Sequence, residues 1–378
     1  MKKVLTCIAA ATLALAACSS NASSSGGSNS AAKGPVTGTD APCKNYDGSG
    51  KESQPVDSLQ LSSADLAKLK AGHYTAAMAW HESSAFVTSL TQAATAEFKT
   101  LGISVTAVTN ANFDAGRQKS DIQTIMAKKP NLLLSLPVDP VVDAAAFRGA
   151  AAAGTKIVYL SNLPAGAVYP RDYTTVVTDN LCQMGQAAAR AMNWAIGGKG
   201  EIAYMPYSAD PNYYPTREWD ETFLKTIKAK YPNIKVVVTK PMVADPAQAQ
   251  ATAAAVLVQH PNLDGIFASF DTPLADSVLA ALKAAGNHHT RLVAVGYDDP
   301  LALSLAQGGS VAAMVIDNAY AIGTAMAKAA AYSLLGRPVP SFLTTGVDPI
   351  ITKDNVLEGY HTLHMKVPSD VSSITGGK

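Results

Sequence analysis

Residues 156–180 read KIVYLSNLPAGAVYPRDYTTVVTDN: two short β-rich runs with no room for a helix between them. Neighbouring parallel strands normally need a crossover, usually a helix. KIVYL (156–160) and TTVVTDN (174–180) lack that helix, so the sequence predicts that the chain crosses here from one sheet to another. Outward from this point, strand and helix signals alternate. TAAMAW (75–80), ISVTAV (103–108) and LLLSL (132–136) come before; EIAYM (201–205), IKVVV (234–238), GIFAS (265–269) and LVAVG (292–296) come after. Such apolar runs suit parallel strands covered on both faces by helices. Phe86, Leu90, Ala94 and Phe98 recur every four residues, as do Leu274, Val278 and Leu282, which gives each helix one apolar stripe facing a sheet. SVAAMVIDN (310–318) and GVDPIITKDN (346–355) read as two further extended crossings. The predicted fold is α/β: two lobes with parallel sheets, joined by a three-crossing hinge, with a cleft between them.

The N-terminus points to the compartment. Lys2 and Lys3 precede an apolar stretch from Val4 to Ala17, shorter than the ~20 residues of a membrane-spanning helix but suited to a secretory signal. Leu15-Ala16-Ala17-Cys18 looks like a bacterial lipobox, with residues 1–17 as signal peptide and Cys18 acylated. The alternative is an ordinary signal peptide cut near Ala17. Residues 19–39 are Ser, Gly, Asn and Ala with almost no large apolar group, a flexible tether. The expected location is therefore extracytoplasmic, lipid-anchored to the cell membrane. Cys43 and Cys182 remain in an oxidising place, either bridged or as two thiols, and their spacing suits no metal site. Lys plus Arg number 30 against 29 Asp plus Glu in 378 residues, so no basic excess favours nucleic acid.

Enzyme signals fail on inspection. Gly198, Gly200 and Ala203 match a dinucleotide spacing, but they precede a strand instead of linking strand to helix. His81-Glu82 begins like a zinc helix motif, yet Ala85 stands where the second ligand belongs. His288-His289 falls in a polar turn. Asp298-Asp299, adjacent at a strand end, point in different directions and do not flank one bond. No catalysis, cofactor or metal is expected.

The ordered landmarks resemble the ribose-binding-protein type of periplasmic substrate-binding protein, which serves sugar ABC transporters. They are AWHESSAFVTSL, DIQTIMAKKPNLLLSLPVDP, TKIVYLSN, VTDNLCQMGQAAARAM, GGKGEIAYMPY, PTREWDETF, HPNLDGIFASFD, RLVAVGYDD, AQGGSVAAMVIDN and LLGRPVP, spanning roughly residues 73–360. The resemblance implies two Rossmann-like lobes that close on a ligand by hinge bending. Lobe 1 would take 73–176 with 318–345, and lobe 2 would take 177–317 with 346–362. Residues 18–72 would be tether and N-terminal extension, and 363–378 a C-terminal tail.

Ligand contacts in such folds lie where strands end in the cleft. Trp80, Ser84 and Phe86 reach that edge; Phe86 is either the aromatic wall implied by the resemblance or a core residue. Arg217 falls at an arginine that clamps sugar hydroxyls in the family, or else pairs with Glu221 four residues on. Asp298 falls at a hydroxyl-accepting aspartate, its alternative being a helix cap. Asp271 is expected to cap a helix, with Phe270 pointing into the cleft. Asp317, at the third crossing, either binds ligand or serves the hinge, and Asp179 and Asn180 cap the following helix. Leu136, Ser161-Asn162, Phe270 and Ala244 depart from the ribose binders, which argues against ribose itself. The expected role is capture of a small polar solute, a monosaccharide or polyol, by a monomer that delivers it to an ABC permease. The alternatives are a membrane sensor's partner or a binder of a non-sugar polar solute.

Overall fold

The computed structural model describes residues 36–38, 40, 42–46, 50–207, 214–346 and 349–376; the signal segment, Cys18 and residues 19–35 of the tether lie outside them. The chain begins its regular structure with β1 (Gln54–Pro55) and α1 (Ser63–Ala71). It continues through β2 (Thr75–Trp80), α2 (Ala85–Thr100), β3 (Ser104–Asn110), α3 (Ala115–Met126), β4 (Leu132–Ser135), α4 (Ala144–Ala152), β5 (Lys156–Leu160) and β6 (Thr175–Thr178). A second series follows: α5 (Leu181–Ala195), β7 (Gly200–Met205), α6 (Tyr214–Lys230), β8 (Ile234–Thr239), α7 (Pro246–Gln259) and β9 (Gly265–Ala268). A wide turn over Asp271–Ala275 leads to α8 (Asp276–Ala284), β10 (Arg291–Val295), α9 (Asp299–Ala306) and β11 (Val311–Val315). The chain ends with α10 (Ala319–Leu334), β12 (Phe342–Thr344), β13 (Ile350–Ile351), α11 (Val356–Thr362) and α12 (Ser369–Thr375).

Two sheets result. One has the order β1-β12-β6-β5-β4-β2-β3, parallel throughout, and the other β13-β11-β10-β9-β7-β8, with only β13 antiparallel. Central strands such as LLLS and GIFA are buried along their whole length, as their sequences require. The edge strands β3 and β8 instead alternate between exposed and covered residues, because one flank has no neighbour. Helices open on side-chain caps: Ser62, Ser84, Asp114 and Asp245, and Asn180 as predicted, each accept a backbone N–H at a helix start. Gly323 lets α10 press against α2, since a Cβ there would lie 2.3 Å from the Leu90 carbonyl oxygen.

The quoted stretch behaves differently from its reading. β5 and β6 pair in parallel within one sheet, Val158 opposite Thr175. An irregular crossover replaces the missing helix, and its Leu163, Ala167, Tyr169 and Tyr173 cover the sheet face. The crossing comes only after Thr178, beyond the boundary expected at 176. Three segments link the sheets: Asp179–Asn180, Ile316–Asn318 and the connection from β12 to β13. The Asp179 carboxylate accepts from the Asn318 backbone N–H at 2.6 Å and from the Thr345 hydroxyl, so one side chain joins all three.

The extension and tail are more ordered than expected. α1 is closed by a capping box of Ser62 and Asp65, and Arg337 donates to Asp65 at 2.6 Å. Strand β1 pairs with β12 of the first sheet. Upstream, Cys43 and Cys182 form a disulfide with Cα atoms 6.0 Å apart, and Arg190 of α5 pairs with Asp40 at 2.7 Å. Asn45 donates to the Asn180 side chain and accepts from the Cys182 N–H, both at 2.9 Å. The extension therefore runs from α5 of the second lobe to the edge of the first sheet, a fourth strand of chain across the hinge. At the other end, α12 packs against α9 with Val371 fully buried, which anchors the expected tail. Replacing both Cys43 and Cys182 by serine removes a cross-link spanning 139 residues, and denaturant unfolding is expected to show a loss of about 2–4 kcal/mol. An unchanged midpoint would mean that the bridge restrains nothing.

Candidate functional site

The C-terminal ends of the parallel strands in both sheets converge on one cavity of about 100 Å³. From the first lobe come His81 and Glu82 after β2, Phe113 after β3, Leu136 to Val138 after β4, and Ser161 and Asn162 after β5. The second lobe supplies Tyr207 after β7, Trp219 from α6, Phe270 to Thr272 after β9, Gly296 after β10 and Asp317 after β11. Phe86, in the first turn of α2, completes the wall.

Local structure fixes most of these groups. Ser84 caps α2 through the Val87 N–H at 3.2 Å and donates its own proton to Glu82 at 2.8 Å. Gln118, buried on α3, donates to the Leu136 carbonyl at 2.8 Å and accepts from the Val138 N–H at 2.7 Å, holding that loop. Trp219 donates to Ser269 O at 3.1 Å, and buried Asp220 accepts from the Tyr207 N–H at 3.0 Å. Tyr207 and Phe270 meet edge to face with centroids 5.2 Å apart, and so do His81 and Phe113 at 5.5 Å. Gly296 has φ +93°, and a Cβ there would lie 2.6 Å from the Asp271 carboxyl carbon, so glycine leaves that carboxylate its place.

The predicted residues separate. Phe86, Asn162, Phe270 and Asp317 line the cavity. Trp80 does not: it is 1% exposed within the core behind β2. Ser84 acts as a cap and as the support of Glu82. Arg217 stands outside the lining, exposed and ion-paired with Glu221, the alternative weighed for it. Asp298 caps α9 through the Leu301 N–H at 3.0 Å and reaches the cavity only through Thr272, whose hydroxyl lies 2.8 Å from it. Asp271 is no helix cap: it accepts from the Thr272 and Tyr297 backbone N–H groups and lines the cavity. Phe113, Tyr207 and Thr272 were not among the expected contacts; Phe113 and Tyr207 follow strands β3 and β7, the same signal that marked Phe270.

The electrostatics are set by burial. Burial holds the His81 imidazole down at about 3, so it is neutral. It raises Glu82 to about 8, against a hydrogen bond from Ser84, and Asp271 to about 6. Asp298 is pushed well above the carboxylate range by burial and by neighbouring Asp271 and Asp276. Thr272 has one hydroxyl proton and two carboxyl neighbours, Asp298 at 2.8 Å and Asp276 at 3.0 Å. One of those carboxyls must therefore be protonated to complete the cluster.

Comparison with known proteins follows this geometry. Residues 76–338 match the periplasmic binding protein domain family. The chain belongs to that family. Its members bind solutes and do not transform them. Among curated relatives, a ribose import binding protein of Bacillus subtilis is 25% identical over 255 residues, covering 67% of this chain and 79% of the relative. Among solved structures, an ABC transporter solute-binding protein from Agrobacterium vitis, bound with α-D-tagatopyranose, superposes with a TM-score of 0.69 at 21% identity, covering 78% of this chain and all of the other. Another, from Mycobacterium smegmatis with bound glycerol, gives 0.65 at 23% identity over 76% of this chain and 96% of its own. This periplasmic binding protein thus has the type I fold of two parallel-sheet lobes around a cleft.

Glu82 carries a pH prediction for this binding protein. Its acid pKa is raised from 4.5 to about 8, so the folded state holds a proton that the unfolded chain has lost, and stability falls as pH rises through that interval. His81, lowered from 6.5 to about 3, works in the opposite sense but is neutral in both states above about pH 6.5. The thermal midpoint of the ligand-free protein is therefore expected to fall between pH 6.5 and 8, and less steeply in Glu82→Gln. A variant that follows the parent's slope refutes the assignment.

Proposed function

We propose that the protein captures a small carbohydrate-like solute, a monosaccharide or polyol, and delivers it unchanged to an ABC permease. The observation that carries this reading is the cavity itself, lying between the lobes at the strand ends and lined by aromatic faces and hydrogen-bonding groups. Aromatic rings such as Phe86, Phe113 and Phe270 cover C–H surfaces, while Asn162, Asp271 and Asp317 meet hydroxyls. Ligands named for the similar structures, tagatopyranose and glycerol, are of that class. Hinge bending at the Asp179 junction opens the cavity, and ligand bridging both lobes shuts it. The protein works as a monomer outside the cytoplasm, held at the membrane by a lipid on Cys18.

Thermal melting against a panel of sugars and polyols tests the reading. A ligand at 100 times its dissociation constant adds ~2.7 kcal/mol, and Phe86→Ala should weaken the same ligand about tenfold. If no such solute moves the midpoint, the carbohydrate assignment is wrong. The anchor has its own test: the protein made in a lipoprotein-processing bacterium should partition into detergent, and Cys18→Ser should remain in the aqueous phase.

A further inference from the structure

The C-terminal segment is rooted in the second lobe and reaches the first. Helix α11 follows β13, the antiparallel partner of β11. Tyr297, just past β10, donates its hydroxyl to the Val356 carbonyl at 2.5 Å, and its ring lies against Gly359, where a Cβ would sit 2.4 Å from it. Tyr360 donates to Asp299 of α9 at 3.0 Å, and α12 packs on α9. The chain just beyond α11 then meets the helices that cover the first sheet. Ser89 of α2 donates to the Leu363 carbonyl at 2.6 Å, with Ser89 0% and Leu363 1% exposed. The next residue, His364, stacks its ring on Tyr320 of α10, with centroids 3.7 Å apart and planes 11° from parallel. One apolar cluster runs through this contact: it holds Leu90 and Ile322 from the first lobe, Tyr297 and Tyr360 from the second, and Leu363 itself.

The backbone marks the same residue independently. His364 has φ +53°, in the left-handed region. It ends α11: its N–H bonds the His361 carbonyl at 3.1 Å, and the Met365 N–H reaches back to the Tyr360 carbonyl at 2.9 Å. Glycine is the usual residue in the left-handed position of this paired closure, because a side chain there carries a backbone cost. Helix α12 ends in that usual way, on Gly376 at φ +66°. What the histidine gains over glycine is its ring contact with Tyr320, two residues past the Asn318 crossing. We propose that Leu363 and His364 form an interlobe clasp: carried by the second lobe, they grip α2 and α10 of the first and bias the ligand-free protein toward the arrangement in which both lobes line the cavity. The clasp acts on the hinge of the capture reading above and works without solute. A contact made in only one arrangement shifts the equilibrium by its own strength. Since only the competent fraction binds, the clasp also sets the apparent affinity of whatever enters the cleft. Tyr297 stands at both places, its backbone N–H holding cavity-lining Asp271 at 2.9 Å while its ring and hydroxyl seat α11.

Small-angle scattering of the intact chain, with no solute added, tests this. His364→Gly removes the ring and leaves a residue suited to the turn, so secondary structure and the unfolding midpoint should hold. Ser89→Ala removes the hydrogen bond from the side of the first lobe. Each should move the lobes about fivefold toward the parted arrangement, read as a larger radius of gyration. Tyr320→Ala should add nothing to His364→Gly, since both delete one contact. His361→Ala, an exposed change on the same helix, should scatter as the parent does. If Ser89→Ala loses stability, His364→Gly decides. A parent-like or smaller radius in His364→Gly would overturn the clasp. Solute capture is judged separately by the melting panel, so an unchanged radius beside a sugar-shifted midpoint would sink the clasp alone.

Discussion

Three passages of chain between two sheets would splay apart unless something fixed their spacing, and one carboxylate does so. Asp179, 1% exposed, takes the Asn318 N–H from the second passage and the Thr345 hydroxyl from the third, while itself standing in the first. Each lobe owes its integrity to apolar burial, and this small polar junction ties the three passages to one another beside the extension that also spans them. Such a hinge can bend because few atoms must move, and it stays aligned because each passage is tied to the others. The flanking caps, Asn180 on α5 and Asn318 on α10, start rigid helices directly from the junction.

The cleft is built by a different economy. Carboxyl groups withdrawn from water prefer to be neutral, and here several are withdrawn together without a cation among the described lining residues. The Thr272 hydroxyl stands between two of them, donating to one and accepting from the other, Ser84 braces another, and backbone N–H groups support Asp271. The aromatic walls raise the electrostatic stakes by excluding water. The result is a site in which burial favours the protonated forms of Glu82 and Asp298.

Much of the fold was readable because buried parallel strands announce themselves as apolar runs: TAAMAW and KIVYL coincide with β2 and β5 residue for residue. The crossover between β5 and β6 misled, because tyrosines and small apolar residues in an irregular loop can cover a sheet as a helix does, and no periodicity marks them. The α1 capping box lay in view at Ser62 and Asp65, but in a segment whose composition upstream read as tether. In the cleft, strand ends located Phe270, Asn162 and Asp317. Asp271 and Asp298 both follow strands and precede helices, and only their side-chain rotamers decide which faces the cavity. Arg217 had a sequence partner in Glu221 at helical spacing, and that local pairing prevailed over the cleft.

The disulfide-fastened extension has a mechanical meaning. Cys182 is the second residue of α5, immediately beyond the junction, and Asp40 pairs with Arg190 further along the same helix, so the segment around Cys43 is fastened along α5 beside the first passage. A pull on the preceding chain would therefore be taken up by α5 through the disulfide and the Asp40–Arg190 pair before it reached either sheet.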